Sequence, residues 1–305
     1  MIRLRSENGQ VTVMAAAMMV FLIAMVAFVL DVGSWFRQQR VTQSNVDSAA
    51  LAGAQALPGN PGNATSFATT FANKNAGVAG ANITISTKWV PNDMITVTQT
   101  RPAEGFFAKV LGISTVNVHE KASAISEVPN EALGDAPIVV NIKHPQLSGP
   151  GCPCFGVPTT LPLGKTGAPG AFALLNLILD DNGTVGKSTL AKWISKGYDS
   201  YLPLGDYLSD PGAAFNDSII QNALQSRYGT DLLFPVYDVL SGTGSNAEYH
   251  IIAWAGFHLQ LSQASGTSGS LTGYFTSVIW QGIISKSGPS ANVPDLGVHS
   301  VALID

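Results

Sequence analysis

From Val11 to Leu30 the chain reads VTVMAAAMMVFLIAMVAFVL, twenty residues in which Thr12 carries the only polar side chain. Wound as a helix, this run is about 30 Å long, the thickness of a bilayer's hydrocarbon core. A core helix of a water-soluble domain keeps a polar stripe toward solvent, and this one has none, so we read it as a membrane span. It is longer than the roughly 7 to 15 residues of a secretory signal's apolar region. The small-x-small sequence Ala50-Leu51-Ala52 lies too far downstream for ordinary signal cleavage, so the span is expected to be a retained anchor. Between Asp31 and Leu57 no proline interrupts the chain, and Gly33 and Gly53 are its only helix-weakening glycines. One helix over residues 10–57 is therefore predicted, its first half in lipid and its second half in water.

Orientation cannot be read from charge, because Arg3 and Arg5 on one side are matched by Arg37 and Arg40 on the other. The short segment ahead of the span is easily left in the cytoplasm, and a long C-terminal part is exported largely regardless of charge. The expectation is a single-pass protein of the cytoplasmic (inner) membrane with its N-terminus in and its C-terminal domains extracytoplasmic.

Beyond the helix, 46% hydrophobic content over 305 residues is enough to bury real cores. A net charge of −4, with charged residues at 12% and no basic stripe, argues against nucleic-acid binding. After the break LPGNPGN, segments TSFATTFANKNAG, ANITISTKWV, MITVTQT, EGFFAKVLG and TVNVHEKASAIS read as α, β, β, α, β. In the last of these, Val116, Val118, Ala122 and Ala124 share one face, as in a half-buried strand. A Gly/Pro-rich stretch follows, and then three aromatic-rich runs, DLLFPVYDVL, AEYHIIAWAGFHLQL and LTGYFTSVIWQGI, which fit neighbouring antiparallel strands. Helices are expected over 188–197 and 216–228. The fold class is α+β: tail, transmembrane helix and its extension over 1–57, a small αββαβ domain over 58–128, and a linker with a β-rich α+β domain over 129–305.

Gly186-Lys187-Ser188-Thr189 imitates the end of a nucleotide-binding P-loop, but the position of its first glycine holds Asp181, a carboxylate where a phosphate would lie. No nucleotide is expected. Asp180 and Asp181 offer hard oxygens for a metal cation or a cap for the following helix, without the spacing of a calcium loop. His119, His144, His250, His258 and His299 have no metal-ligand spacing and accompany no nucleophile elbow. Cys152 and Cys154 flank Pro153 and, in an exported loop, are candidates for a disulfide. Trp254, Phe257, Tyr274, Phe275 and Trp280 could furnish an aromatic surface, although most aromatics of a strand belong to its core. Nothing here composes a catalytic constellation or a cofactor site, so the chain is not read as an enzyme.

Gly9-Gln10, the apolar run, the exit Asp31-Val32-Gly33 and the block VDSAALAGAQAL (46–57) resemble the N-terminal segment of TadE/TadG-like proteins of the Tad (Flp) pilus-assembly system. The position five residues after Gly9, where the cleaved pilins of that system carry Glu, holds Met14, so their processing is not implied. The metal-binding Asp-x-Ser-x-Ser motif of the adhesive domain found in some TadG proteins does not occur either. The resemblance implies a membrane-anchored structural or assembly component, with other pilus-assembly or envelope proteins and the lipid bilayer as partners. Its marked residues are Asp31, Gly33 and Asp47. Independently of the resemblance, Ser48, Ala49, Ala52, Gly53 and Ala56 make a face of small side chains on which another backbone can approach closely. That face suits either assembly with a second helix or packing under the chain's own domain. A membrane-tethered, adhesin-like module using the aromatic C-terminal strands is the alternative reading.

Overall fold

In a computed structural model of the chain, the residues described are 8–76, 80–164, 170–178, 185–210, 215–265, 268–285 and 293–304. The fold is α+β, and it divides into two compact units: Met1–Ile125 together with Ala302–Asp305, and Ser126–Val301.

The first unit begins with α1, Asn8–Ala54, an uninterrupted helix of 47 residues and so about 70 Å long. It contains the one candidate membrane span among the described residues, and the apolar window of that span is wholly uncovered by protein. α2, Pro61–Ala76, turns back on α1 and buries Ala64, Ala68 and Ala72, a stripe at four-residue spacing. β1 (Asn82–Ser86), β2 (Met94–Glu104) and β3 (Thr115–Glu127) then form an antiparallel meander in the order β1-β2-β3. Alternation places Ile95, Val97, Gln99, Arg101 and Ala103 of β2 on the buried face. Ala124, Ala122, Val118 and Val116 of β3 stand opposite Ile95, Val97, Arg101 and Ala103, which puts the four predicted residues on one face.

The stretch EGFFAKVLG, expected as a helix, forms only a single 3-10 turn, Ala108–Leu111. Two causes limit it. The N–H groups that would start a longer helix are taken by a side chain of α1, and Gly112, at φ 83°, ends the turn in the left-handed region.

The second unit contains β4 (Glu131–Leu133), β5 (Ile138–Asn141), α3 (Pro145–Ser148), β6 (Pro158–Pro162), β7 (Phe172–Leu175), α4 (Lys187–Lys196), β8 (Tyr201–Pro203), β9 (Gly205–Asp210), α5 (Ser218–Gln225), β10 (Thr230–Ser241), β11 (Glu248–Ser265), β12 (Ser268–Thr276), β13 (Val278–Ile279), β14 (Gly282–Ile283) and the start of β15 (Val298–Ile304). β10, β11 and β12, the three aromatic-rich runs, are consecutive antiparallel neighbours. β10 also pairs with β5, β5 with β7, β7 with β9, and β9 with β11, so these five strands close a circuit around a core. Ile138, Val140, Leu174, Phe234, Ile251 and Phe257 fill that core, and α4 and α5 add Leu190, Ile194, Ile220 and Leu224 to it.

Trp254 projects from β11 into a second, smaller cluster with Ala132, Leu233 and Val298. Asp135 is fully buried beside it, and neither carboxyl oxygen has a hydrogen-bond partner of good geometry among the described residues. Burial pushes this carboxyl up to about 8; its own backbone N–H and the Trp254 indole N–H, which pull the other way, do not offset the desolvation. Folded, Asp135 keeps its proton to about pH 8; unfolded, it releases it near 3.8. The folded state therefore holds the extra proton between those values, and the contribution of Asp135 to stability declines as pH rises through that window. Chemical denaturation of wild type and Asp135→Asn across pH 4 to 8 should show the variant losing markedly less stability with rising pH; identical slopes would exclude the buried proton.

Candidate functional site

The face of α1 that leaves the apolar run organises the first unit. Asp31 is the residue immediately after Leu30, and its side chain is buried although its neighbours in the run are exposed. The reason is a loop 75 residues away. The Asp31 carboxylate accepts from the backbone N–H groups of Phe106 (2.8 Å), Phe107 (3.0 and 3.2 Å to the two oxygens) and Ala108. One anion thereby satisfies the unpaired donors at the start of the 3-10 turn, the role an N-cap side chain usually plays from within its own helix. One turn further along α1, Trp35 Nε1 donates to the Glu104 carbonyl at 3.3 Å. Deeper in the unit, buried Asn45 donates from Nδ2 to Gln99 Oε1 at 2.6 Å, fixing α1 to the middle of β2.

Of the residues marked in the sequence, Gly33 lies exposed with open space where a Cβ would stand. Asp47 accepts from Gln43 Nε2 at 2.6 Å and borders a groove of about 720 Å³ whose walls include Met94, Lys121 and Ser123. Ala49, Ala52 and Gly53 are buried within the unit, and Ala56 is half-buried. A Cβ on Gly53 would meet the Ala64 carbonyl oxygen at 2.9 Å and Ala68 Cβ at 3.1 Å, with Ile95 Cδ1 closer still. In the folded chain the small face is thus occupied by α2 and β2.

Most of the remaining candidates lie in the second unit. Cys152 and Cys154 are joined in a disulfide. Asp180 and Asp181 lie outside the described residues. Lys187 of the P-loop-like sequence reaches Asp217 at 2.7 Å; their hydrogen bond holds the Asp217 carboxyl below its usual range. Asp217 is also the N-cap of α5, accepting from Ile219 N–H, so this lysine ties α4 to α5. The five histidines are engaged locally, His250 with Asp206 and His258 with Asp231 at 2.7 Å, His299 with Asp295, His119 with Thr100, and His144 as the cap of α3. No group of three or more His, Cys, Asp or Glu suited to a metal occurs among the described residues. Trp254, Phe257 and Phe275 are buried, so they form no aromatic binding surface; Tyr274 and Trp280 are half-buried.

What the sequence reading missed is the partner of Asp31 and the apolar loop it holds. The loop's composition, apolar residues bracketed by Gly105 and Gly112 between two strands, was the available signal.

A long helix with an apolar first half, and a small sheet folded onto its second half, defines a class: a chain with an N-terminal membrane-anchor candidate and domains carried beyond it. Within that class, residues 9–56 match the family described as "Putative Flp pilus-assembly TadE/G-like", the segment in which the resemblance was recognised. This supports a pilus-associated component and, with the apolar helix, membrane anchoring. Neither a curated protein nor a solved structure matches the chain.

Three substitutions distinguish the roles of this face. Asp31→Ala should release the turn, seen as faster hydrogen exchange at the amides of 106–108 with the rest of β2 and β3 unchanged. The cost should be about 1–3 kcal/mol, that of leaving donors unpaired. Gly53→Ala should destabilise full-length protein in detergent by about 1–3 kcal/mol through overpacking, whereas Gly33→Ala, which meets nothing, should be neutral or slightly stabilising through helix propensity. Equal effects at the two glycines would contradict the packing described.

Proposed function

We propose that the chain is a membrane-anchored assembly component of a Flp-type pilus or a related bacterial envelope machine, and not an enzyme. Its N-terminus lies in the cytoplasm, the first half of α1 crosses the inner membrane, and the domains that follow it are extracytoplasmic. The observation that carries this reading is the continuity of α1, which leads from the apolar run into a folded unit and is clamped at the exit by Asp31, a residue of the family-matched segment, to the loop at 106–108. A helix so clamped passes position and orientation from the bilayer to the domain it carries, as an assembly component must. Other pilus or envelope proteins are its partners. Since Ala49, Ala52 and Gly53 are occupied within the unit, the helix surface left to meet them is the exposed one, including Gly33, Phe36 and Val41.

Deleting the gene should reduce pilus number and secretion of the major pilin, with restoration by the intact gene; unchanged pili would remove the assembly role. The orientation is tested separately. After mild reduction of spheroplasts, Cys152 and Cys154 should react with a membrane-impermeant thiol reagent while a cytoplasmic control protein stays unlabelled.

A further inference from the structure

We infer that the connection between β2 and β3, residues 105–114, is a second membrane contact, which sets Phe106, Phe107, Val110 and Ile113 into the lipid interface where α1 leaves the bilayer. The inference rests on reading residues 11–30 as a membrane span and goes beyond it in giving the folded unit its own hold on lipid.

Depth along α1 comes first. Glu104 is bound at the level of Trp35, and Phe106–Ala108 are bound at the level of Asp31. Those helix positions are four residues apart, so the chain descends about 6 Å toward the apolar run as it enters the loop. It arrives beside Asp31, the first residue after the run ends at Leu30.

Exposure comes next. Phe106 is 62% exposed, Phe107 47%, Val110 88% and Ile113 46%, a concentration of bare apolar side chains in one short connection. Lys109, the charged side chain among them, pairs with Glu104 at 3.4 Å. On α1 itself Trp35 and exposed Phe36 stand at the same margin, where aromatic side chains favour the boundary of a bilayer.

The backbone supplies the third argument. In an apolar medium every unpaired N–H is costly. Here the N–H groups of Phe106, Phe107 and Ala108 are taken by Asp31, while Gly105, Val110, Gly112 and Ile113 donate to Ser114, Phe107, Lys109 and Ala108 carbonyls. The loop thus meets lipid with these seven donors paired and with Phe106, Phe107, Val110 and Ile113 exposed. Lipid is the occupant because the patch adjoins the apolar window of the span, which no part of the chain covers and which, read as a membrane span, faces hydrocarbon.

The test uses the full chain in vesicles of phosphatidylcholine and phosphatidylglycerol, with the native disulfide left oxidised. Nitroxide labels are placed at Val110→Cys, at Phe106→Cys, at Ala24→Cys within the span and at exposed Thr70→Cys on α2. Collision rates with oxygen, which enters lipid, and with a water-soluble nickel chelate are measured at each. Expected are several-fold fewer nickel collisions and more oxygen collisions at 106 and 110 than at 70, approaching the label at 24. Nickel access at 106 and 110 equal to that at 70, with the label at 24 immersed, overturns the loop contact and leaves the span intact. Nickel access at 24 overturns both. Labels at 106 and 110 shielded from oxygen and nickel alike would mean that protein, a second copy or a partner, covers the loop, and would overturn lipid as the occupant.

Discussion

A carboxylate standing immediately after an apolar run that ends at Leu30 is expensive unless its charge is answered, and the first unit is arranged around that answer. Asp31 finds no cation among its bonded partners; it takes three backbone N–H groups from the β2–β3 connection. Such charge-assisted bonds are stronger than neutral ones. They can be made only if β2 runs down α1 to the level of the exit and β3 runs back, so one side chain constrains the placement of the hairpin. The same device recurs at the other end of β2, where buried Asp93 accepts from Lys88, Trp89 and Val90 and closes the β1–β2 turn. Both connections of the β1-β2-β3 meander are thus gathered on carboxylates.

The small residues of α1 solve a different problem. Most of the stability of a protein helix in water comes from a packed face rather than from propensity, and the second half of α1 has such a face. Gly53 and the alanines around it let α2 approach so closely that a methyl group at Gly53 would strike the Ala64 carbonyl. Close approach increases dispersion contact and excludes water from both helices. Small-residue faces serve equally for contacts between chains and within one, which is why the motif alone could not decide between them.

The elements with strong periodicity were legible in the sequence: the span, its continuation, the half-buried strands β2 and β3, and the aromatic trio β10, β11 and β12. Each is specified by side chains near in sequence whose spacing declares a face. What was not legible depends on partners distant along the chain. The segment EGFFAKVLG reads as a helix, and the carboxylate of Asp31, 75 residues upstream of Phe106, together with Gly112 limits it to a single turn. The GKST sequence had a local look of nucleotide binding, and its lysine is spoken for by Asp217, 30 residues downstream. The burial of Asp135 likewise follows from closure of the surrounding strands and carries no signature in its neighbours, Gly134 and Ala136.

The clamp also has a mechanical consequence. If α1 carried its domain on a free linker, rotation or tilt of the span would be lost within a few residues, since a flexible chain transmits neither. Here three rows of contact lock helix to hairpin at successive levels: Asp31 to the loop, Trp35 to Glu104, and Asn45 to Gln99. These rows are spread over fourteen residues of α1, about 21 Å of helix, so a turn of the helix about its axis must carry the hairpin with it. A rigid lever anchored in apolar surroundings at one end and bearing a folded unit at the other can set the height and heading of whatever binds that unit. In the assembly role proposed above, rigidity at this joint would matter more than any reactive group.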